Sequence, residues 1–388
     1  MKKLGLFALV LGLVVVFAMP AFAFKIEGAK GEKMYIGGLF MTDIGFYNRS
    51  KELTGYNSDR TELMFTVPNY SQLRGTVEVN QVGGLWEFGL GGNTYGGTAA
   101  ETRYVELRKL YGWYNFGNCQ ILAGKTDGYV YSVAPLQVMG FNNGNYVAGF
   151  GWGNIYDSRS PQVRFTQNIS KQFSYAISLV STEGYTDSTR LSYSQIPAIA
   201  AKFSMDFGVV ALKPAAVYQT VKWDQLPAGY DDSMASWYAV LPVIVKAGPF
   251  TGTFQAGYGQ NIGTGATQGQ FGLLLLESAY QSYQRDASGK IKNTTALNGF
   301  IDLAFTAGPI TPHVYFGYDK AQNSDVWKTG DDNNTRTMWG ISALYAVAPS
   351  FYLIPEFTMY DYGKKPNTAG SPDIGKAWVG GVQFRFMF

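Results

Sequence analysis

The stretch that most constrains this chain is its last fifteen residues, Ile374 to Phe388, reading IGKAWVGGVQFRFMF. From Trp378 onward the even positions carry Trp378, Gly380, Val382, Phe384, Phe386 and Phe388. The odd positions Gly381, Gln383 and Arg385 are small or polar, with Val379 and Met387 as exceptions. A period of two places successive side chains on opposite faces, so this is a strand with one apolar and one wet face. A strand that closes the chain on phenylalanine, aromatic on one side only, suits the seam of a transmembrane barrel, where lipid meets one face and water the other. An ordinary sheet strand would alternate in the same way, and the opposite end of the chain separates the two.

Residues Met1 to Ala23 have the three parts of a secretory leader. Lys2 and Lys3 form the charged start, Leu4 to Phe17 the apolar run, and Ala21-Phe22-Ala23 the small-x-small cleavage site. The expected mature chain begins near Phe24 and forms one domain, 24–388. The apolar run is short for a membrane-spanning helix, and nothing after Ala23 approaches the length that such a helix needs. Aromatics make up 16% of the residues and charged side chains only 15%, with 47 Gly. A soluble enzyme would carry more charge and fewer aromatics, whereas a wall between lipid and water would have this balance. With Lys2 and Lys3 removed, 29 of the 31 basic residues remain against 28 acidic ones, a net charge of +1. That near balance gives no nucleic-acid signature. The one cysteine, Cys119, has no intramolecular disulfide partner.

The alternating segments predict an all-β, antiparallel transmembrane barrel of sixteen strands, running from 33–47 to 375–388. Short turn-forming connections alternate with long loops rich in Gly, Asn, Asp and Thr, as on the two rims of an outer-membrane barrel. The short series begins with Pro68-Asn69-Tyr70-Ser71, read as a turn between strands 59–67 and 72–80, and continues with Asn115-Phe116-Gly117-Asn118. Leu85–Gly92 and Phe271–Tyr283 are strand-like but assigned to loops; as wall strands they would make the count eighteen. In 295–307, Leu297, Ile301, Leu303 and Phe305 share one face, while Asn298, Asp302 and Thr306 share the other with Phe300. A polar face turned toward its own kind across a closed sheet requires a watery lumen.

Between the fifth and sixth strands lies Asp127 to Asp157, which contains Tyr129, Pro135, Phe141, Tyr146, Phe150 and Trp152. So long and aromatic a loop is expected to fold inward and narrow the lumen, because on the surface it would expose a large apolar area. The run GNCQILAGKTDGYVYSVAPLQ and the later RSPQVRFTQ resemble the sixteen-stranded trimeric porins of Gram-negative bacteria, and among them the DcaP-like dicarboxylate porins. Ala123-Gly124-Lys125-Thr126 stands where that family has an Ala-Gly-Gln-Thr-like motif, with lysine in place of the usual glutamine. Arg159, Pro161, Gln162 and Arg164 match its Arg-x-Pro-Gln-x-Arg segment, and Leu107 to Gly112 looks like the preceding strand. The N-terminal coiled coil of some members is absent here.

The resemblance implies a homotrimer in the outer membrane, amid lipid bilayer and lipopolysaccharide, passing small hydrophilic solutes and favouring anions such as carboxylates. No cofactor and no metal is expected. A selective pore discriminates by width and by charge at its narrowest point. The candidate lining residues are Arg60, Arg74, Arg108, Lys125, Arg159 and Arg164, with Asp127 and Asp157 supplying an opposing negative side. Each arginine could instead pair with a lumen acid and stiffen the wall. Lys109 falls on the outward face by parity, which hints at a protein-facing patch. Enzyme chemistry is set aside: the single histidine, His313, shares a face with Asp319 but lies about 20 Å from it along a strand, and no nucleophile elbow or metal pair occurs. A structural barrel that scaffolds a surface or electron-transfer partner is the alternative.

Overall fold

The structure, a computed structural model, describes residues 24–388 apart from 29–30, 69, 91–104, 131, 143–144, 149–151, 155–158, 182–185, 188–189, 225 and 263–283. The expected leader, Asp157 and Phe271–Tyr283 therefore lie outside the described residues. Among the described residues, sixteen antiparallel strands close into a barrel. In chain order they begin with β1 (Lys33–Arg49), β2 (two pieces, Arg60–Thr66 and Gln72–Val79), β3 (Val82–Gly89), β4 (Glu106–Phe116), β5 (Cys119–Asp127) and β6 (Arg159–Asn168). Next come β7 (Phe173–Val180), β8 (Ala198–Asp206), β9 (Val210–Leu212 and Ala215–Trp223), β10 (Ser233–Ala247) and β11 (Phe250–Gln260). The last five are β12 (Thr295–Phe305), β13 (Ile310–Gln322), β14 (Asn333–Ala348), β15 (Phe351–Asp361) and β16 (Lys376–Met387). Each pairs with the next, and β16 pairs with β1 from Leu39–Met387 to Arg49–Ala377, so no edge is left open along that seam. A short strand, Phe24–Glu27, continues the line of β16 along the first residues of β1.

The alternation in the sequence sets the two faces of this wall. On β2, Leu63 and Phe65 are 60% and 65% exposed while Met64 and Thr66 are buried. The same holds on β16, whose even positions face out and whose Gln383 is buried inside. Aromatic rings band the outer surface at two levels. Trp339, Phe357 and Trp378 neighbour one another toward the loop rim, and Phe40 lies 4.8 Å from Phe388 toward the turn rim. An apolar belt between two aromatic girdles suits a lipid bilayer, and water would not support it.

The strand count agrees with expectation, but two of its parts do not. Pro68–Ser71 is no turn, because both pieces of β2 pair with β1 in the same direction: Asp43 with Thr66 through Arg49 with Arg60, then Lys33 with Glu78 through Leu39 with Gln72. The segment between them is an interruption within one strand. Ser71 replaces the ladder there: the Met41 N–H donates to its Oγ (3.0 Å), and its hydroxyl donates to the Met41 carbonyl (3.3 Å). The turn comes later, at Asn80–Gln81, where Asn80 takes φ 57°. The segment beginning at Leu85, expected in a loop, lies in wall strand β3. One strand lost and one gained leave the total unchanged.

Candidate functional site: a loop pinned across the lumen

The chain leaves β5 at Asp127 and returns on β6 at Arg159. Between them it reaches the opposite half of the barrel, where three wall carboxylates accept its backbone N–H groups. Asp302 on β12 takes the Leu136 N–H (2.8 Å). Glu356 on β15 takes those of Val138 (2.5 Å) and Met139 (3.0 Å) through one oxygen. Asp319 on β13 takes that of Gly153 (3.0 Å). Hydroxyls and amides complete the attachment: Ser342 donates to the Leu136 carbonyl, Tyr360 to that of Met139, and Gln255 to the Asn154 side chain. Each such hydrogen bond contributes about 0.5–1.5 kcal/mol net, and a buried N–H left without its acceptor costs about 1–3 kcal/mol, so Glu356, which serves two, is the strongest single attachment.

Packing brings the loop hard against the wall. Gly153 has φ +81°, and a Cβ there would collide with the Gly299 carbonyl oxygen. Val138, Met139 and Trp152 join an apolar cluster with inward side chains that include Tyr315, Met338, Ile354, Tyr360 and Val379. That explains Val379, the apolar exception on the wet face of the terminal strand: it faces the loop, and water is excluded there. Asp319 also pairs with Arg336 (2.7 Å), and this guanidinium lies 4.5 Å from the centre of the Trp152 ring. His313 Nδ1 lies 2.9 Å from Asp302 Oδ1 on the adjacent strand. Its carboxylate partner is thus a cross-strand neighbour, which reasoning along a single strand does not reach, and Asp319 is not its partner, as expected.

At the root of the loop, Tyr129 and Val130 pack with Val180, Ala198, Val217 and Tyr238. Loop and apolar side chains thus cover much of the inner face from β7 to β15 and the loop-rim half of β16, reaching Tyr47 and Met64 on β1 and β2. Across the lumen, on β1–β6 and β16, the inner face carries arginines. Arg60 is exposed and pairs with Glu62 (2.8 Å), which also binds Arg49 (2.9 Å). Arg74 faces inward opposite Glu87 in the ladder and has no hydrogen bond or ion pair among the described residues. Arg164 faces inward and donates to Gln162 Oε1, Ser178 Oγ and the Asp127 carbonyl.

Arg108 and Lys109 depart from simple alternation. The β3–β4 register slips between Glu87 and Phe88, leaving Arg108 as the extra residue of a β-bulge. Arg108 is buried on Glu87 (2.9 Å), and Lys109 also reaches Glu87 (3.5 Å) and Asp127 (2.6 Å). The bulge turns both inward, so Lys109 is not on the lipid face. Asp127 does not stand across the pore from the basic residues; it is gripped by Lys109 and by its ladder partner Arg159 (3.4 Å). Lys125 shares the outer face of β5 with Ile121 and Ala123, opposite Leu110 and Pro161, and donates to the Leu107 carbonyl (2.9 Å). It is not a pore-facing position, because the strand period carries it outward. Sequence reasoning missed Asp302, Asp319, Glu356 and Arg385, although the inward parity of each could be read along its strand.

No family model matches the chain, and no curated protein matches it by sequence. Solved structures do match. The outer membrane channel DcaP of Acinetobacter baumannii superposes with a TM-score of 0.71 at 14% identity, over 94% of this chain and 99% of that one. The fold is that of the outer-membrane porins. An anion-selective porin from Comamonas acidovorans matches with a TM-score of 0.56 at 10% identity, covering 92% and 100% of the two chains. The trimer form of OmpT from Vibrio cholerae gives 0.58 at 11%, covering 92% and 99%.

Proposed function

We propose that the protein is a porin of the Gram-negative outer membrane, exported with a leader cleaved after Ala23, through which small hydrophilic solutes diffuse passively with a preference for anions. The observation that carries the reading is the unequal fate of charge in the lumen. The acids of β12, β13 and β15 are buried against loop N–H groups, while Arg74 and Arg164 face the side the loop leaves open. Fixed cations beside a passage with low-dielectric walls raise the local concentration of anions. Arginine keeps its charge at any physiological pH. The likeness to a porin named as anion-selective and to a trimer form supports the same reading, with three copies side by side in lipid and lipopolysaccharide.

Swelling of proteoliposomes tests it. Pentoses and small carboxylates are expected to enter, with lysine slower than a carboxylate of similar size. Vesicles that do not swell in any solute would make the protein a scaffold barrel instead.

A further inference from the structure

On the turn side of the pinned loop, between residues 134–138 and the wall of β1 and β16, lies a cavity of about 270 Å³. Leu39, Met41, Pro135, Leu136 and Val138 make most of its lining apolar, and no acid lines it. One guanidinium does. Arg385 donates through Nε (3.0 Å) and Nη2 (2.7 Å) to the same oxygen of Gln383. Gln383 in turn donates to Asp43 (2.9 Å), a fully buried carboxylate. This relay fixes the arginine and leaves its Nη1 with no hydrogen bond among the described residues. Tyr70, held in the lumen by the break in β2, closes the cavity and carries the Arg108 guanidinium 5.0 Å from its ring centre.

We infer that this cavity is a subsite for a small amphiphilic anion: a monocarboxylate on a compact apolar body, aromatic or branched aliphatic. A neutral solute could offer the oriented Nη1 an oxygen acceptor but no charge to strengthen the bond. A dicarboxylate would bury its second charge against apolar wall with no partner. A monocarboxylate meets both demands, with a charge-assisted hydrogen bond at one end and apolar burial along the other. The volume is below that of drug-sized pockets, which begin at about 300 Å³, so the body is of the order of a single ring.

The inference rests on the porin reading for its biological sense, but its test does not. Saturation-transfer NMR on detergent-solubilised protein would compare benzoate, succinate and benzamide, with single-channel currents recorded on the same preparations. Benzoate is expected to bind best, and to weaken by about tenfold or more in Arg385→Gln, the loss of one charge-assisted bond. Leu39→Asn, which removes apolar lining and no polar contact, is expected to weaken benzoate while leaving succinate unaffected. It carries the test if Arg385→Gln does not fold. Succinate binding as well as benzoate, or benzoate binding that neither variant alters, would overturn the subsite. Arg385-dependent benzoate binding in a barrel that passes no current would keep the subsite and remove the porin. A conducting barrel without such binding would do the reverse.

Discussion

The two halves of the lumen wall follow one alternation and use their inward charges in opposite ways. On β12, β13 and β15, Asp302, Asp319 and Glu356 are turned onto backbone N–H groups of the loop, and His313 and Arg336 bind two of them besides. On β1–β6 and β16, Arg60 and Arg108 are paired with Glu62 and Glu87, but Arg74 has no partner among the described residues, and Arg164 and Arg385 donate to amides such as Gln162 and Gln383. A count of inward charges would miss this difference. A carboxylate that holds a loop N–H is fixed structure, while an arginine steadied by an amide still presents its charge to whatever passes.

The comparison breaks most readily on the loop-bearing side. Glu356→Ala leaves two buried loop N–H groups without their shared acceptor, at about 1–3 kcal/mol each. Single-channel recording should then give larger, flickering conductance, and limited proteolysis should cut between residues 132 and 142. Unchanged conductance and no new cleavage would remove Glu356 from its anchoring role. Arg336→Ala leaves Asp319 buried without its ion-pair partner, a change that typically costs about 3–5 kcal/mol. Part of that cost should be relieved by water entering beside Trp152, so a smaller loss of heat resistance in gel migration is expected than for Glu356→Ala. On the outer face, Lys125→Ala should leave selectivity unaltered; a shift in reversal potential would return this lysine to the pore.

The smallest effect concerns the loops outside the membrane, and it sharpens the comparison by elimination. Side-chain hydrogen bonds from Asn333, Ser324 and Gln322 hold Asp332 down to about 2, below its ordinary 3.8. A carboxylate with a depressed folded-state value stabilises its loop above the ordinary value and loses that contribution as pH falls toward about 2. Hydrogen exchange in residues 323–332, corrected for intrinsic rate, should therefore be constant from pH 7 to 4 and rise only in stronger acid. Any change in conductance between pH 7 and 4 then does not arise from Asp332.

Strand periodicity made the barrel legible, including the polar and apolar faces of β12 and β16. It failed where a long-range contact overrides a local signal. Pro68-Asn69 reads as turn chemistry, and only the Ser71–Met41 exchange, thirty residues apart, keeps it within a strand. The sixteen-strand total survived because that error was offset by the omission of β3. Parity placed Lys109 in lipid because the register slip between Glu87 and Phe88 leaves no mark in the sequence. The inward fold of the loop was legible from its aromatic content, but its anchors were not, since acids on distant strands carry no sign of which segment they bind. For the same reason the sequence places Asp127 opposite the arginines across the pore, whereas Lys109 and Arg159 hold it at the rim.

The most direct test of the unequal walls is the reversal potential in a planar bilayer under a potassium chloride gradient, for the native protein and for Arg74→Ala combined with Arg164→Ala. The account expects a potential of the sign set by chloride, shrinking toward zero in the double variant while the channels still open. A cation-selective native channel, or an anion preference that survives loss of both arginines, would contradict it.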